Sequence, residues 1–202
     1  MQSMTPQKLA DLNEFSEADA WANYYQSAPE RFVKKYGLVA KRIGSAWVTM
    51  IPGIDWTYLN RIVGLGLREP VTEAMLDDCI AVLEKAGCQN FMAQVCPLAQ
   101  PAELLQWLEN RGLVRRRKWV KVYRGNAPAP KFETNLRLVT VGREKAGAYA
   151  EVTLSAFEMP PELGPLMTGA MGKPGWYHYL GYDGSEPVSA GALYISGERV
   201  LM

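Results

Sequence analysis

The spacing of hydrophobic positions is clearest in residues 68–124. Apolar side chains recur every three or four positions through residues 71–87, which predicts an amphipathic helix. The apolar run at 90–96 is too short for a helix, so it predicts a central strand that is buried on both faces. The spacing then predicts a second amphipathic helix over 101–112. Alternating apolar and cationic side chains predict a strand with one wet face over 118–124.

The chain before this segment also divides into helical and strand patterns. Aromatic residues scattered among polar ones predict one or two helices in residues 1–36. β-Branched and aromatic residues predict two strands within 38–50, with a turn near Gly44. Residues 58–67 predict a further strand that leads into the helix at 71. The order is therefore helices, strands, helix, strand, helix and strand.

Residues 125–130 are rich in glycine, alanine and proline and cannot continue a helix or a central strand, because proline lacks an amide donor. This predicts a domain boundary, with one unit at 1–125, a linker at 126–130 and a second unit at 131–202. The second unit is predicted to form, in order, a strand (135–141), a helix (144–157), a short helix (163–171), a hairpin (176–182 and 188–195) and the start of another strand (200–202). The expected fold class is α/β, with helices packed on a mixed sheet.

Composition and charge exclude several classes of protein. Hydrophobic residues make up 48% of the chain and charged residues 21%, with a net charge of +1, so the overall charge does not favour a nucleic-acid partner. The basic run at 115–118 is interpreted as a solvated strand start. No apolar stretch reaches the length of about 18 residues that a membrane helix needs, and no signal region is present. A cytoplasmic protein is expected.

The three cysteines and the single histidine offer little metal or nucleophile chemistry. Cys79 and Cys96 lie inside apolar patterns, and no C-x-x-C pair exists, so buried thiols in a reducing compartment are expected. His178 is the only histidine, and it lacks a cysteine partner in the sequence pattern. No metal site is predicted.

Two stretches carry a resemblance to a known family. Residues 104–113 (LLQWLENRGL) and residues 182–194 (YDGSEPVSAGALY), in their predicted element order, resemble acyltransferases of the GCN5-related N-acetyltransferase (GNAT) superfamily. The resemblance implies a tandem GNAT-like arrangement. A degenerate first copy is expected at 1–125, and the opening half of a second copy, cut off at its C-terminal end, is expected from Lys131.

The family binds the pyrophosphate of acetyl-CoA with a Q/R-x-x-G-x-G/A loop at a helix start, where backbone amides point at the phosphates. In the first copy Arg68 fits the leading position of this loop, but Pro70 has no amide and Glu73 adds a negative charge. Leu108 stands where many members place the tyrosine that protonates the thiolate. The first copy is therefore expected to be catalytically inactive, with residues 68–73 serving as a structural helix start.

In the second copy the pyrophosphate loop would follow the strand that starts at Val200, which the chain does not reach, so acetyl-CoA binding by this chain alone is doubtful. The resemblance implies an acceptor pocket and a strand beside the acyl-CoA. The candidate residues are Phe157, Glu158, Tyr177 and Tyr179 for the acceptor, and Val200 and Leu201 for the strand. No catalytic residue is identified. His178 is on the opposite face of its strand from both tyrosines, and a structural imidazole bonded to backbone is favoured over a general base.

Two functional hypotheses follow. The resemblance implies transfer of acetyl from acetyl-CoA to the amine of a small molecule or peptide, with a general base and backbone amides around the thioester oxygen. The alternative is a non-catalytic binding or self-assembly module, in which the open sheet edge at 200–202 pairs with a second copy. Neither hypothesis involves a membrane or a nucleic acid.

Overall fold

The structure, a computed structural model, describes residues 4–124, 127, 128, 130, 131 and 133–202. These residues contain six α-helices and two four-stranded sheets, which confirms a mixed α and β fold class. The helices are α1 (Pro6–Gln26), α2 (Glu30–Tyr36), α3 (Glu73–Lys85), α4 (Leu104–Asn110), α5 (Ala146–Ala156) and α6 (Gly164–Gly169). The strands are β1 (Val39–Ile43), β2 (Ala46–Met50), β3 (Arg61–Val63), β4 (Met92–Ala93), β5 (Arg137–Val141), β6 (Trp176–Asp183), β7 (Glu186–Ser196) and β8 (Arg199–Leu201).

The chain divides into two compact units that do not follow one cut in the sequence. Unit 1 contains Met1–Ala22 and Lys34–Tyr123, and unit 2 contains Asn23–Val33 and Arg124–Met202. Residues 23–33, which the sequence analysis grouped with the first unit, therefore cluster with the second. Two long-range hydrogen bonds within unit 2 explain this. The Trp176 indole donates to Asn23 Oδ1 at 2.7 Å, and the Tyr24 hydroxyl donates to the Met167 carbonyl at 2.9 Å. Of the predicted linker, residues 126 and 129 lie outside the described residues, as does Gly125.

Unit 1 is built on the sheet β1-β2-β3-β4, in which the first three strands are antiparallel and β4 is parallel to β3. Helix α3 connects β3 to β4. It begins after Thr72, whose hydroxyl accepts a hydrogen bond from the Met75 amide at 3.1 Å, and it buries Leu76 and Leu83 completely. The structure confirms the predictions of the two N-terminal helices, the β1–β2 hairpin, α3 and α4.

Two strand predictions in unit 1 need correction. The predicted central strand at 90–96 shrinks to β4, which is half-buried and forms the edge of its sheet. The predicted strand at 58–67 shrinks to β3, because a 3₁₀ turn precedes it at Thr57–Leu59 and the chain leaves the sheet at Gly64. An apolar run shows that a segment is buried, but burial beneath helices has the same pattern as burial between strands.

Residues 118–124, predicted as a strand, form no strand in the structure. The segment is held by side chains: Trp119 stacks on Tyr58 with ring centroids 6.4 Å apart, and Lys121 reaches acidic groups on α1. Val120 and Val122 point outward with 88% and 94% of their surface exposed. The predicted arrangement is therefore wrong, because both valines face solvent whereas the Lys121 side chain is only 25% exposed. The described part of unit 1 also provides no neighbouring strand to complete a ladder.

Unit 2 is built on the antiparallel sheet β5-β6-β7-β8, with α5 and α6 between β5 and β6. The predicted hairpin is confirmed, and its turn contains Gly184 at φ +58°. Tyr149 of α5 packs with Val141 and Leu180 of the sheet. One face of the sheet is thus covered by helix. In the described part of both units, no helix is long and apolar enough to cross a membrane.

Candidate functional site

Strand β6 carries the two tyrosines that the sequence marked for an acceptor pocket, and its side chains alternate between two faces from Tyr177 to Leu180. His178 and Leu180 are buried, whereas Tyr177 and Tyr179 are 44% and 36% exposed. The predicted alternation is confirmed. In the hairpin, Tyr177 lies opposite Leu193 of β7.

His178 lies inside an aromatic cluster. Its ring is 5.0 Å from the ring of Tyr149 in an edge-on contact and 6.0 Å from that of Trp176. Only 1% of its surface is exposed, and its Nε2 atom has no hydrogen-bond partner among the described residues. The expectation of a backbone bond is therefore not met at this nitrogen. Burial lowers the pKa of His178, because the charged imidazolium would lose its hydration, so the neutral ring is favoured and its role is packing.

Glu158 has the most unusual backbone of the candidate residues. It adopts φ +52°, the only described residue other than glycine with a positive φ. It follows Phe157, the capping residue at the C-terminal end of α5, where the Met159 amide donates to the Leu154 carbonyl and the Glu158 amide donates to the Ser155 carbonyl. This is the Schellman motif. Helices α3 and α4 end in the same motif, with Gly87 and Gly112 at the equivalent position.

A glutamate at this position costs about 1 kcal/mol relative to a residue that tolerates the left-handed conformation. Strain of this kind, held in place by the surrounding structure, is often associated with function. Beside it, Phe157 has 64% of its surface exposed, which is unusual for a phenylalanine. The end of α5 therefore combines an exposed aromatic ring with a carboxylate on a strained backbone.

The structure does not gather the four acceptor candidates into one cluster on the sheet. Helix α5, which leads to Phe157 and Glu158, packs on the face that carries His178. Tyr177 and Tyr179 lie on the other face. The acceptor roles of these residues stay predictions.

Val200 and Leu201 belong to β8, which is an edge strand of its sheet. Val200 lies opposite Ile195 and is 54% exposed, whereas Leu201 lies opposite Tyr194 and is half-buried. By the pairing register, Val200 shares its face of the sheet with both exposed tyrosines. The other apolar members of this face are Leu138, Leu193 and Ile195. The face is therefore apolar and largely open to solvent.

The contacts of the loop at 68–73 in unit 1 explain why this loop does not suit an anion. Arg68 bonds Asp11 at 3.3 Å and lies 3.6 Å from the centroid of the Phe15 ring, so its charge is already engaged. The Val71 amide donates to the carbonyl of Gln100 at 2.9 Å. These donors would be the ones to bind a pyrophosphate. They serve instead to place the start of α3.

The G-L-G sequence that precedes this loop is also structural. Gly66 has φ +72°, and a Cβ on it would lie 2.5 Å from the Gln100 carbonyl oxygen. The Gln100 amide donates to the Gly66 carbonyl at 2.6 Å. Glycine is required here because another backbone approaches too closely for any side chain. Phosphate binding is not needed to explain it.

Unit 1 contains a buried charged network that the sequence analysis missed, the Glu17 network, made of Glu14, Glu17, Arg61 and Lys121. Glu17 bonds Arg61 at 3.2 Å and Lys121 at 2.6 Å, and Lys121 also bonds Glu14 at 2.7 Å. Burial alone would raise the pKa of Glu17, but Lys121, Gln94 and Arg61 together lower it below its ordinary value. The partners are far apart in the chain, and no local pattern marks them.

Arg61 is further held by two aromatic rings. Its guanidinium carbon lies 4.4 Å from the centroid of Trp21 and 4.9 Å from that of Trp119. Its Nε donates to the Tyr58 carbonyl. These contacts satisfy a cation that is only 6% exposed. The network joins α1 to β3 and to the segment at 118–124.

Burial raises the pKa of the Cys79 thiol to about 12, so this thiol is not reactive. Cys79 and Cys88 are buried, as expected, and Cys96 is half-buried. In the part of the chain that the structure describes, no three His, Cys, Asp or Glu side chains converge to hold a metal. Compared with known proteins, the chain matches no protein-family model and no curated protein.

Proposed function

We propose that the chain is part of an acetyltransferase system of the GNAT type, in which acetyl passes from acetyl-CoA to an amine. The observation that supports this best is the order of elements in each unit. Along the chain, residues 6–110 form two helices, three antiparallel strands, a helix, a parallel strand and a helix, although residues 23–33 cluster with unit 2. Unit 2 has a strand, two helices and an antiparallel three-stranded meander. The first order is the one expected of a degenerate first copy, and the second is the one expected of the opening half of a second copy of the fold that the sequence resembles.

Unit 2 supplies the acceptor side in this proposal. Glu158 would attract the ammonium form of an amine, and the exposed ring of Phe157 beside it would cover the apolar part of the acceptor. Because the Schellman motif fixes the backbone at Glu158, the start of this side chain is held at the exposed end of α5. Tyr177 and Tyr179 would contact a longer acceptor that reaches the open face of the sheet.

The residues at 68–73 do not fit the pyrophosphate of acetyl-CoA. Arg68 is engaged by Asp11, and the Val71 amide is bonded to Gln100. We therefore expect little or no binding of acetyl-CoA to this chain in calorimetry. Clear micromolar binding would mean that the chain contains a coenzyme site where none is expected. Arg68→Gln would then test whether residues 68–73 form that site.

The acceptor side can be tested without the coenzyme. A panel of primary amines is titrated into the ¹⁵N-labelled protein, and backbone resonances of residues 155–162 are followed. We expect saturable shifts with at least one amine, loss of those shifts in Glu158→Gln, and no loss in Glu162→Gln, an exposed carboxylate nearby in the chain. Equal binding by the wild type and Glu158→Gln would reject the role of Glu158. No saturable amine binding at all would reject the acceptor proposal.

The alternative, a self-assembly module, is favoured by one specific observation. Edge strand β8 and the open apolar face meet at Val200, and unpaired edges with apolar side chains tend to pair with another chain. If two copies pair through β8, sedimentation velocity will show a dimer, and Val200→Lys will return it to a monomer. The matched control is Val122→Lys, which changes a residue that is 94% exposed in unit 1. A wild type that stays monomeric at high concentration would contradict this alternative.

A further inference from the structure

A concave site lies in unit 2, and none of the candidate residues above lines it. Its volume is about 380 Å³, and it lies between the turn after α1, the turn before α5 and the end of α6. This volume is within the range of small-ligand pockets, about 300–1,000 Å³. The lining residues are Ser27, Ala28, Pro29, Arg143, Ala146, Thr168, Gly169 and Lys173. We call this the Arg143 pocket.

Both charged residues that line the Arg143 pocket are cations. Among the described residues, neither Arg143 nor Lys173 forms an ion pair with a carboxylate. The acidic neighbours in sequence are Glu30 and Glu144, and Glu144 is turned to its own backbone, where it accepts a hydrogen bond from the Gly142 amide at 2.9 Å. No carboxylate in the described part of the chain lines the cavity, so its charged lining is entirely positive and would attract an anion.

The rest of the lining provides hydroxyl groups and a close backbone. Thr168 donates its hydroxyl proton to the Gly164 carbonyl at 3.0 Å, so Ser27 is the lining residue whose hydroxyl could donate to an anion. Gly169 closes the floor, because a Cβ there would lie 2.8 Å from the Ser27 carbonyl oxygen. A larger residue at 169 would separate α6 from the turn at 27–28 and open the cavity.

We propose that the Arg143 pocket binds the phosphate group of a small molecule. The planar guanidinium of Arg143 suits two oxygens of a phosphate, the Lys173 ammonium adds a point charge, and the Ser27 hydroxyl can donate to a third oxygen. The cavity is larger than a phosphate needs, so the ligand has room for a short organic group. The pocket shares no residue with the acceptor candidates, and the proposal does not depend on acetyl transfer.

The test is calorimetric titration at constant ionic strength with two probes, inorganic phosphate and glycerol 3-phosphate. We expect saturable binding of both, and tighter binding of glycerol 3-phosphate if the organic part is recognised. Equal affinities would identify free phosphate as the ligand. Arg143→Gln and Lys173→Gln should each weaken the affinity about fivefold, and the double variant should lose binding.

The matched control is Lys145→Gln, which removes an exposed cation two residues from Arg143 that does not line the pocket. It should bind both probes as the wild type does. All three side chains are exposed, so the variants should keep the wild-type melting temperature. Three results would overturn the proposal: no saturable binding to the wild type, unchanged binding in the double variant, or an equal loss in Lys145→Gln.

Discussion

Removing Glu17 should destabilise unit 1 strongly. In Glu17→Ala the guanidinium of Arg61, whose side chain is 7% exposed, loses the carboxylate that lies 3.2 Å away, and Lys121 loses one of the two carboxylates that it bonds. A buried ion that loses its partner costs about 3–5 kcal/mol. The lower end applies here, because Lys121 keeps Glu14 and Arg61 keeps its two aromatic contacts. We therefore expect a loss of about 3 kcal/mol in the free energy of unfolding.

The assay is urea unfolding followed by tryptophan fluorescence. Trp176 is the tryptophan of unit 2, and the other five of the six lie in unit 1, so a Trp176→Phe background reports on unit 1 alone. The control is Asp11→Ala, which removes the partner of Arg68 in a pair whose side chains are 41% and 37% exposed. Exposed pairs contribute less than about 1 kcal/mol.

A double variant separates lost charge pairing from lost packing. Glu17→Ala combined with Arg61→Met removes both charges, so it should cost less than the sum of the two single variants. The pKa of Glu17 is lowered in the folded state, so its contribution is present above the ordinary pKa of about 4.5 and is lost as the pH falls below that value. If Glu17→Ala costs no more than Asp11→Ala, or if the double variant is additive, the network does not stabilise unit 1 in this way.

Three further predictions concern other parts of the chain. Glu158→Gly should raise the free energy of unfolding of unit 2 by up to about 1 kcal/mol in calorimetry, because glycine relieves the positive φ, whereas Glu162→Gly should not. The free energy of unfolding of unit 2 should fall as the pH drops below about 6.5, with a slope of at most about 1.4 kcal/mol per pH unit, because His178 takes up a proton more readily in the unfolded state than when it is buried. His178→Gln should remove this slope, and an unchanged slope would contradict the argument. Leu83→Ala should lower the free energy of unfolding by about 2–5 kcal/mol in urea unfolding, because Leu83 is completely buried. Leu105→Ala should have a small effect, because Leu105 is 41% exposed, and similar losses in the two variants would contradict the assigned core.

The two functional proposals make separate demands on unit 2. Acceptor binding depends on the carboxylate of Glu158, whereas self-association depends on the edge at Val200. A protein that dimerises through β8 and ignores amines would favour the assembly module. A monomer that binds amines through Glu158 would favour the acetyltransferase.

The amino-acid sequence alone determined the local elements. Helix α3 was predictable because its apolar side chains recur every three or four positions, a pattern that depends only on residues within a few positions of each other. The β6–β7 hairpin was predictable because a glycine turn separates two strand patterns. The alternation of Tyr177 and His178 also followed from the chain, since it needs only the strand period.

Only the tertiary structure decided how these elements are paired and covered. It made β4 an edge strand and left 118–124 without a ladder, because strand position depends on neighbours that lie far away in the chain. It also showed that the His178 face is the buried one, since α5 packs there. The Glu17 network and the Arg143 pocket have the same origin: their charged groups meet only after folding, and no local spacing encodes a contact between residues that are distant in sequence.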